Sequence, residues 1–233
     1  QNGGSAFNDT VSSGGVLTIS SGGSGSYISL AAGATFNIGT NYDNQHMTSL
    51  TAPSGTKINV LSGGTLSNAD ASYMGTIIVN KGGTVKNAII SSGGGLGVTG
   101  TASNTTVNNG GVISVASGGT ASGGTINAGG SAYFAAGATM SALTLNGGIV
   151  DTYVTPSFVA GGIVGGSLIL ESGVSDGGYQ KLGSGVTIYL KSGASLSNST
   201  IGASNTVIVS AGGAARGLVI SGGGGLGVGG NTS

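Results

Sequence analysis

The sequence predicts an all-β protein, a parallel, right-handed β-helix (β-solenoid) of about 12 turns. Three observations predict this fold: a repeat of 19 residues, glycine pairs at fixed places in the repeat, and apolar residues alternating with polar ones within it. Glycine supplies 52 of the 233 residues and charged residues only 5%. Such a composition, combined with a strong period, favours stacked repeats over a compact enzyme core.

The repeat is clearest in residues 101–157, where units of 19 residues follow one another without a gap. When the units are aligned, equivalent positions carry the same or similar residues, for example Asn108, Asn127 and Asn146. A fixed period of this length indicates turns that stack on one another, because a single turn cannot bury its own apolar face. We expect the three asparagines to form a ladder of side chains. The three units are TASNTTVNNGGVISVASGG, TASGGTINAGGSAYFAAGA and TMSALTLNGGIVDTYVTPS.

Within the unit, apolar residues occupy positions 2, 7, 13 and 15. Positions 13 and 15, such as Ile113 and Val115, show the alternation of a half-buried strand. Glycine pairs such as Gly110–Gly111 lie between the apolar segments, where a sharp bend needs positive φ at little steric cost. We therefore predict two short strands per turn, and at ~4.8 Å per turn a rod roughly 60 Å long.

The same frame extends over most of the chain, so residues 1–233 are predicted to form a single solenoid with two irregular insertions, near 40–55 and 151–185. Residues 56–103 align with residues 186–233 without a gap, and about 21 of the 48 pairs are identical, which indicates a duplicated block. Insertions in solenoids lie on one face, often the binding face. They are also tolerated as plain loops or caps. The recognition residues predicted in them are Tyr42, Asp43, His46, Asp151, Tyr153 and Tyr179.

Several function classes are disfavoured by composition. Six basic and six acidic residues are scattered singly, so there is no basic stripe for nucleic acid. No apolar run is long enough to span a membrane, and direct membrane insertion is not expected. The absence of cysteine excludes disulfides and thiolate metal sites. No cofactor is predicted, since the two G-x-G-x-x-G matches, at 95–100 and 225–230, precede no helical pattern.

An enzyme is also not predicted. The chain has one histidine, so a Ser-His-Asp site could use only His46 with Asp43, in an irregular loop that is poorly suited to hold a triad. Some parallel β-helices cleave polysaccharides, which needs paired carboxylates. No two acidic residues are 19 apart. A polysaccharide-active enzyme would have to depend on Asp43 or Asp151.

Two units, TASNTTVNNGGVISVASGG and SAFNDTVSSGGVLTISSGG, resemble the 19-residue repeats of AIDA-type autotransporter adhesins, the self-associating surface proteins of Gram-negative bacteria. The resemblance covers most of the chain. It implies a β-solenoid passenger exported to the cell surface, outside the outer membrane, as one segment of a longer protein. It also implies adherence to host cells, self-aggregation and biofilm formation, with a host or matrix receptor, or a second copy, as partner. A structural stalk that presents a distal functional tip is the alternative.

Some members of this family carry O-linked heptose on serines beside the glycine corners, which implies an O-heptosyltransferase as a further partner. Serine is also a good turn former in its own right. Corners with Ala128 and Ala136 depart from the pattern, so a regular column of sugars is not expected. The serines that match the family's pattern are Ser13, Ser21, Ser62 and Ser117.

Overall fold

The computed structural model describes residues 4–43, 51–177, 182–202 and 204–229, and every regular element in them is a β-strand. No helix in this part of the chain is long and apolar enough to cross a membrane. The strands are β1 (Ser5–Phe7), β2 (Thr10–Val11), β3 (Val16–Ile19), β4 (Ser24–Ser26), β5 (Ser29–Leu30), β6 (Thr35–Ile38), β7 (Asn41–Asp43), β8 (Thr51–Ala52), β9 (Lys57–Val60), β10 (Thr65–Ser67), β11 (Asp70–Ala71), β12 (Thr76–Val79), β13 (Thr84–Lys86), β14 (Ile89–Ile90), β15 (Gly95–Val98), β16 (Thr101–Val107), β17 (Val112–Val115), β18 (Thr120–Asn127), β19 (Ser131–Phe134), β20 (Thr139–Ser141), β21 (Leu143–Thr152), β22 (Phe158–Leu170), β23 (Ser175–Asp176), β24 (Val186–Leu190), β25 (Ser195–Ser197), β26 (Thr200–Ile201), β27 (Thr206–Val209), β28 (Ala214–Arg216), β29 (Val219–Ile220) and β30 (Gly225–Val228).

The strands pair in parallel with strands about one repeat away, as Thr101 with Thr120 and Ile113 with Ala132. The longest ladder is made by eleven successive parallel pairings. The predicted parallel β-solenoid is therefore confirmed, with about 11 turns where the period suggested about 12. In chain order this ladder joins β3, β6, β9, β12, β15, β17, β19, β21, β22, β24, β27 and β30.

Each regular turn has three strands, for example β10, β11 and β12, and the stacks of equivalent strands form three faces, here named A, B and C in that order. The prediction of two strands per turn is therefore wrong. The sequence merged strands A and B into one, because no glycine pair marks the corner between them. That corner is made by a single residue of positive φ, such as Asn68 (57°) or Asn104 (53°). Asparagine enters this conformation more readily than most residues.

The core lies between the three faces and is filled by the apolar positions that the repeat predicts. Leu66 on face A, Ile90 on face B and Val115 on face C are each 0% exposed. Face C also buries Phe36 and Phe134, each 0% exposed. Burying one such side chain stabilises the fold by ~1.5–3 kcal/mol. Because each turn is covered by its neighbours, stability depends on stacking.

The two glycines of a corner are required for different reasons. Gly118 has a φ of 80°, in the left-handed region that disfavours other residues. Gly119 has no such φ, but a Cβ there would overlap the carbonyl oxygen of Val98 in the preceding turn. The glycine pairs therefore both bend the chain and allow successive turns to approach closely.

Besides the unit that begins at Thr84, which pairs with the next turn at a spacing of 17, two regions depart from the 19-residue spacing. Asn41 pairs with Thr65, 24 residues later, across the predicted first insertion. In the second, residues 151–177 remain in the solenoid through β21 and β22, of 10 and 13 residues. The register shifts several times between these strands, so the spacing varies, but the ladder of face C is continuous.

Candidate functional site

The four serines matched to the family's glycosylation pattern are all exposed, and each directly precedes a glycine of positive φ. Ser13 lies at the corner between faces B and C, whereas Ser21, Ser62 and Ser117 lie at the corner between faces C and A. The hydroxyls of the last two point along the stack. If Gly82, in the next turn, carried a Cβ, that atom would lie 2.6 Å from Ser62 Oγ. A Cβ on Gly137 would lie at the same distance from Ser117 Oγ. The glycines that follow the four serines are Gly14, Gly22, Gly63 and Gly118.

Further serines occupy equivalent corners and were missed by sequence reasoning. Ser54 and Ser92 lie between faces B and C, and Ser172 and Ser192 between faces C and A, all exposed. Each also directly precedes a glycine of positive φ. A serine directly before a glycine could have indicated these corners from the sequence. The pair was not recognised because the units that contain it are shortened or irregularly spaced.

Ladders of amide side chains run along the outside of the solenoid. Asn127 Nδ2 donates to Asn108 Oδ1 at 2.9 Å, and Asn146 Nδ2 donates to Asn127 Oδ1 at 2.9 Å. The asparagine ladder predicted from the repeat is thereby confirmed. A second ladder lies on face C, where Asn59 Nδ2 donates to Asn37 Oδ1 at 2.7 Å and Asn37 Nδ2 to Thr18 Oγ1 at 2.9 Å.

Two of the recognition residues predicted in the first insertion lie in a strand. Tyr42 and Asp43 lie in β7 of face A, paired with Leu66 and Ser67, so their assignment to an irregular loop is wrong. The extra residues follow this strand and do not replace it. His46 lies outside the described residues, as does Tyr179 from the second stretch.

Asp151 and Tyr153, also predicted to lie in an insertion, are on and beside face C. Asp151 is paired in register with Tyr133, and the rings of Tyr133 and Tyr153 meet edge to face with centroids 6.1 Å apart. Tyr153, Glu171 and Lys191 each follow the last residue of a C strand, in three successive turns, so they stack in one column. We call these five residues the tyrosine–carboxylate patch.

The electrostatics of this patch are unusual for so uncharged a protein. Burial raises the pKa of Asp151, and the charge of Lys191 partly opposes this. Burial likewise raises the pKa of Glu171, with a further contribution from the charge of Asp151. The Glu171 charge raises the pKa of the Tyr153 phenol. Asp151 Oδ1 is covered from solvent and has no hydrogen-bond partner.

Sequence reasoning missed that Asp151 and Glu171 are close, because it looked for acidic residues 19 apart. These two are 20 apart in a region where paired residues of face C are separated by 18, as Asp151 and Ile169 are. The carboxylates therefore lie on neighbouring turns with a lateral offset. Asp43, on face A, does not join them. In the described parts of the chain no group of three or more His, Asp or Glu residues is arranged to hold a metal ion.

Comparison with known proteins gives a structural match. No family model matches the chain, and no curated protein matches its sequence. A solved structure, that of a TibC-catalysed, hyper-glycosylated fragment of TibA, has 26% sequence identity and a TM-score of 0.62. The match covers 99% of this chain and 84% of that one. The resemblance predicted from the repeats is thereby confirmed: this chain is a parallel β-solenoid similar to a fragment of TibA, an AIDA-type autotransporter adhesin.

Proposed function

We propose that this chain is a surface-displayed passenger segment of an exported Gram-negative adhesin, which mediates adherence to host cells or association with copies of itself. The structural match to the TibA fragment over 99% of the chain carries this proposal. It directly supports an adhesin-like stalk. Adherence is supported further by a long, repetitive surface of almost no net charge, which lets similar surfaces approach without repulsion.

The test uses the purified segment without sugars, immobilised on beads. We expect the beads to clump through contacts between copies, or to be retained on cultured epithelial cells or matrix proteins, with beads that carry an unrelated β-solenoid as the control. If the segment behaves like the control in all three assays, the adhesive role is wrong for this region. The stalk would then remain the function.

A deletion within the solenoid distinguishes a stalk from an adhesive face, because only an adhesive face should lose binding to cells. The surface that a stalk exposes along its length is interchangeable, so deleting residues 44–50 would leave cell retention of the longer protein unchanged. If residues 44–50 take part in recognition, their deletion would make retention fall. Glycan cleavage remains a weaker alternative, which would require turnover that disappears in Asp43→Asn or Asp151→Asn.

We also propose that a glycosyltransferase, of the O-heptosyltransferase type, modifies the corner serines. The TibA fragment is glycosylated by TibC, and Ser13, Ser21, Ser62 and Ser117 are exposed at tight corners where an enzyme can reach them. Intact mass spectrometry of the natively exported protein should show discrete sugar increments that are lost in serine-to-alanine variants. Ser114→Ala, at an exposed serine within a strand, should leave the mass pattern unchanged except for the substitution itself.

A further inference from the structure

Five of the exposed corner serines direct their hydroxyl groups at a glycine of the next turn. A Cβ on Gly82 would lie 2.6 Å from Ser62 Oγ, closer than van der Waals contact allows. The backbone fixes this arrangement, because the N–H of Gly63 donates to the carbonyl oxygen of Gly82 at 2.9 Å. The other pairs are Ser117 with Gly137 at 2.6 Å, Ser172 with Gly193 at 2.7 Å, Ser192 with Gly212 at 2.5 Å and Ser13 with Gly33 at 3.1 Å.

Two further corner serines have no glycine in the equivalent place of the next turn. After Ser54 this position is taken by Met74, whose side chain is 69% exposed. In the turn that follows Ser21, the corner between faces C and A is shortened to residues 39–40 and contains no glycine pair. The hydroxyls of these two serines therefore do not face a glycine.

Ser92 does lie beside a glycine of the next turn, but its hydroxyl is directed elsewhere. The atom of Ser92 nearest to a Cβ on Gly110 would be Cα, at 3.4 Å. Since all eight serines directly precede a glycine of positive φ in the sequence, only the stacking of turns separates them into a group of five and a group of three.

The direction of the hydroxyl decides where an added sugar must lie. In the transfer, Oγ forms a bond to the anomeric carbon of a nucleotide-activated sugar, and the bond from that carbon to the diphosphate breaks. The hydroxyl proton passes to a base of the transferase, and the nucleoside diphosphate leaves. The new sugar then extends along the stack over the corner of the next turn. A glycine leaves this space open, because it has no side chain, whereas a Cβ would occupy it.

We propose that the acceptor for O-glycosylation is a corner serine together with the glycine that its hydroxyl faces in the next turn. This inference rests on the proposed glycosylation and determines which corners receive a sugar. Ser21, although it matches the family's pattern, is excluded. The acceptors are Ser13, Ser62, Ser117, Ser172 and Ser192, and the serines left unmodified are Ser21, Ser54 and Ser92.

The experiment measures the sugar occupancy of each of these serines by peptide mass spectrometry of the natively exported protein. The test variant is Gly82→Ala, which places a methyl group against Ser62 Oγ, and Gly63→Ala is the matched control. The φ angles of Gly82 and Gly63 are 80° and 79°, so both substitutions strain the backbone alike. A Cβ on Gly63, however, meets no atom within 4 Å.

A second pair of variants repeats the comparison at Ser117. Gly137→Ala places a methyl group against its Oγ, whereas a Cβ on Gly118 meets no atom within 4 Å, and both glycines have a φ of 80°. Circular dichroism and melting temperature establish that the variants fold. The wild-type pattern over the eight serines tests the proposal without any substitution.

We expect sugar on the five acceptors and none on the other three serines. Occupancy at Ser62 should fall tenfold or more in Gly82→Ala and stay unchanged in Gly63→Ala. Equal occupancy of the two groups of serines overturns the proposal, as does an equal response to Gly82→Ala and Gly63→Ala. In both cases the proposed glycosylation itself stands, whereas absence of sugar from all eight serines overturns both proposals.

Discussion

At the scale of single residues, side chains are constrained chiefly by the turns above and below them. Gly94 shows this, because a Cβ there would overlap the carbonyl oxygen of Ala71, which lies in the preceding turn. Asn205 shows the complementary case, in which a larger residue at the equivalent corner position compensates by making a hydrogen bond. The local sequence around either residue does not reveal these constraints.

Replacing Gly94 with alanine should lower the free energy of unfolding by about 1–3 kcal/mol, because two turns must separate to admit the methyl group. Gly97 provides the control, since it has ordinary φ and a Cβ there meets no atom within 4 Å. Chemical denaturation of both variants measures the difference. Equal stability of Gly94→Ala and Gly97→Ala would contradict the close approach of turns as the reason for the second glycine of a corner.

Replacing Asn205 with alanine should cost about 1–3 kcal/mol, because it leaves a buried backbone donor without its partner. Asn205 is 2% exposed, and its Oδ1 accepts from the Val186 N–H at 2.8 Å. Urea titration checks the loss against Asn109→Ala, a substitution at an exposed corner asparagine. The role assigned to the Asn205 side chain is wrong if both variants unfold at the same urea concentration.

At the scale of elements, the sequence predicted strand C well but did not separate strands A and B. In strand C, buried and outward residues alternate over four positions, as in Thr76–Val79, and glycine pairs flank the strand. The alternation and the glycine corners therefore indicate the same strand. Strand A has only three residues in a regular turn, as in Thr65–Ser67, and ends at an asparagine bend. Strand B is shorter still, with two residues as in Asp70–Ala71, and no glycine pair divides it from strand A, so only pairing with the next turn shows that they are two strands.

The candidate site was harder to predict than the strands for a related reason. Asp151 and Tyr153 were singled out as departures from the repeat, but the contribution of Glu171 and Lys191 depends on the length of each turn. A change of one or two residues in that length changes which side chains become neighbours. The repeat period alone cannot supply this, because bulges between β21 and β22 alter the local register.

The asparagine ladder gives a prediction for an element made of stacked side chains. Asn127 makes hydrogen bonds to both Asn108 and Asn146, whereas Asn146 is shown with one such bond. Each bond contributes ~0.5–1.5 kcal/mol, so Asn127→Ala should destabilise the protein about twice as much as Asn146→Ala. Thermal unfolding of the two variants tests this, and equal losses would show that the ladder does not act through its hydrogen bonds.

At the scale of the whole molecule, mild acid should stabilise this protein. Burial raises the pKa of Asp70 and Asp151 above 3.8 and that of Glu171 above 4.5. Between those ordinary values and the raised ones, the folded state binds more protons than the unfolded state, so the free energy of unfolding falls as pH rises through that window. The penalty is present above the raised pKa values and is relieved as the pH falls through them.

The melting temperature should therefore be at least as high at about pH 4.5 as at pH 7. The triple variant Asp70→Asn, Asp151→Asn, Glu171→Gln should melt higher than wild type at pH 7 and gain less from acidification. Calorimetry at both pH values measures these differences. A wild-type melting temperature that drops steadily on acidification would mean that other carboxylates, with lowered pKa values, dominate.

The parallel ladder of face C also determines how this solenoid responds to tension. Its strands are joined by hydrogen bonds along the stack, so a pull on the two ends of the chain loads the outermost turn first. Releasing one turn of 19 residues replaces ~4.8 Å of stack with up to ~65 Å of extended chain. A solenoid built in this way would lengthen stepwise under a load such as fluid flow, while the turns that remain stacked keep their three faces intact.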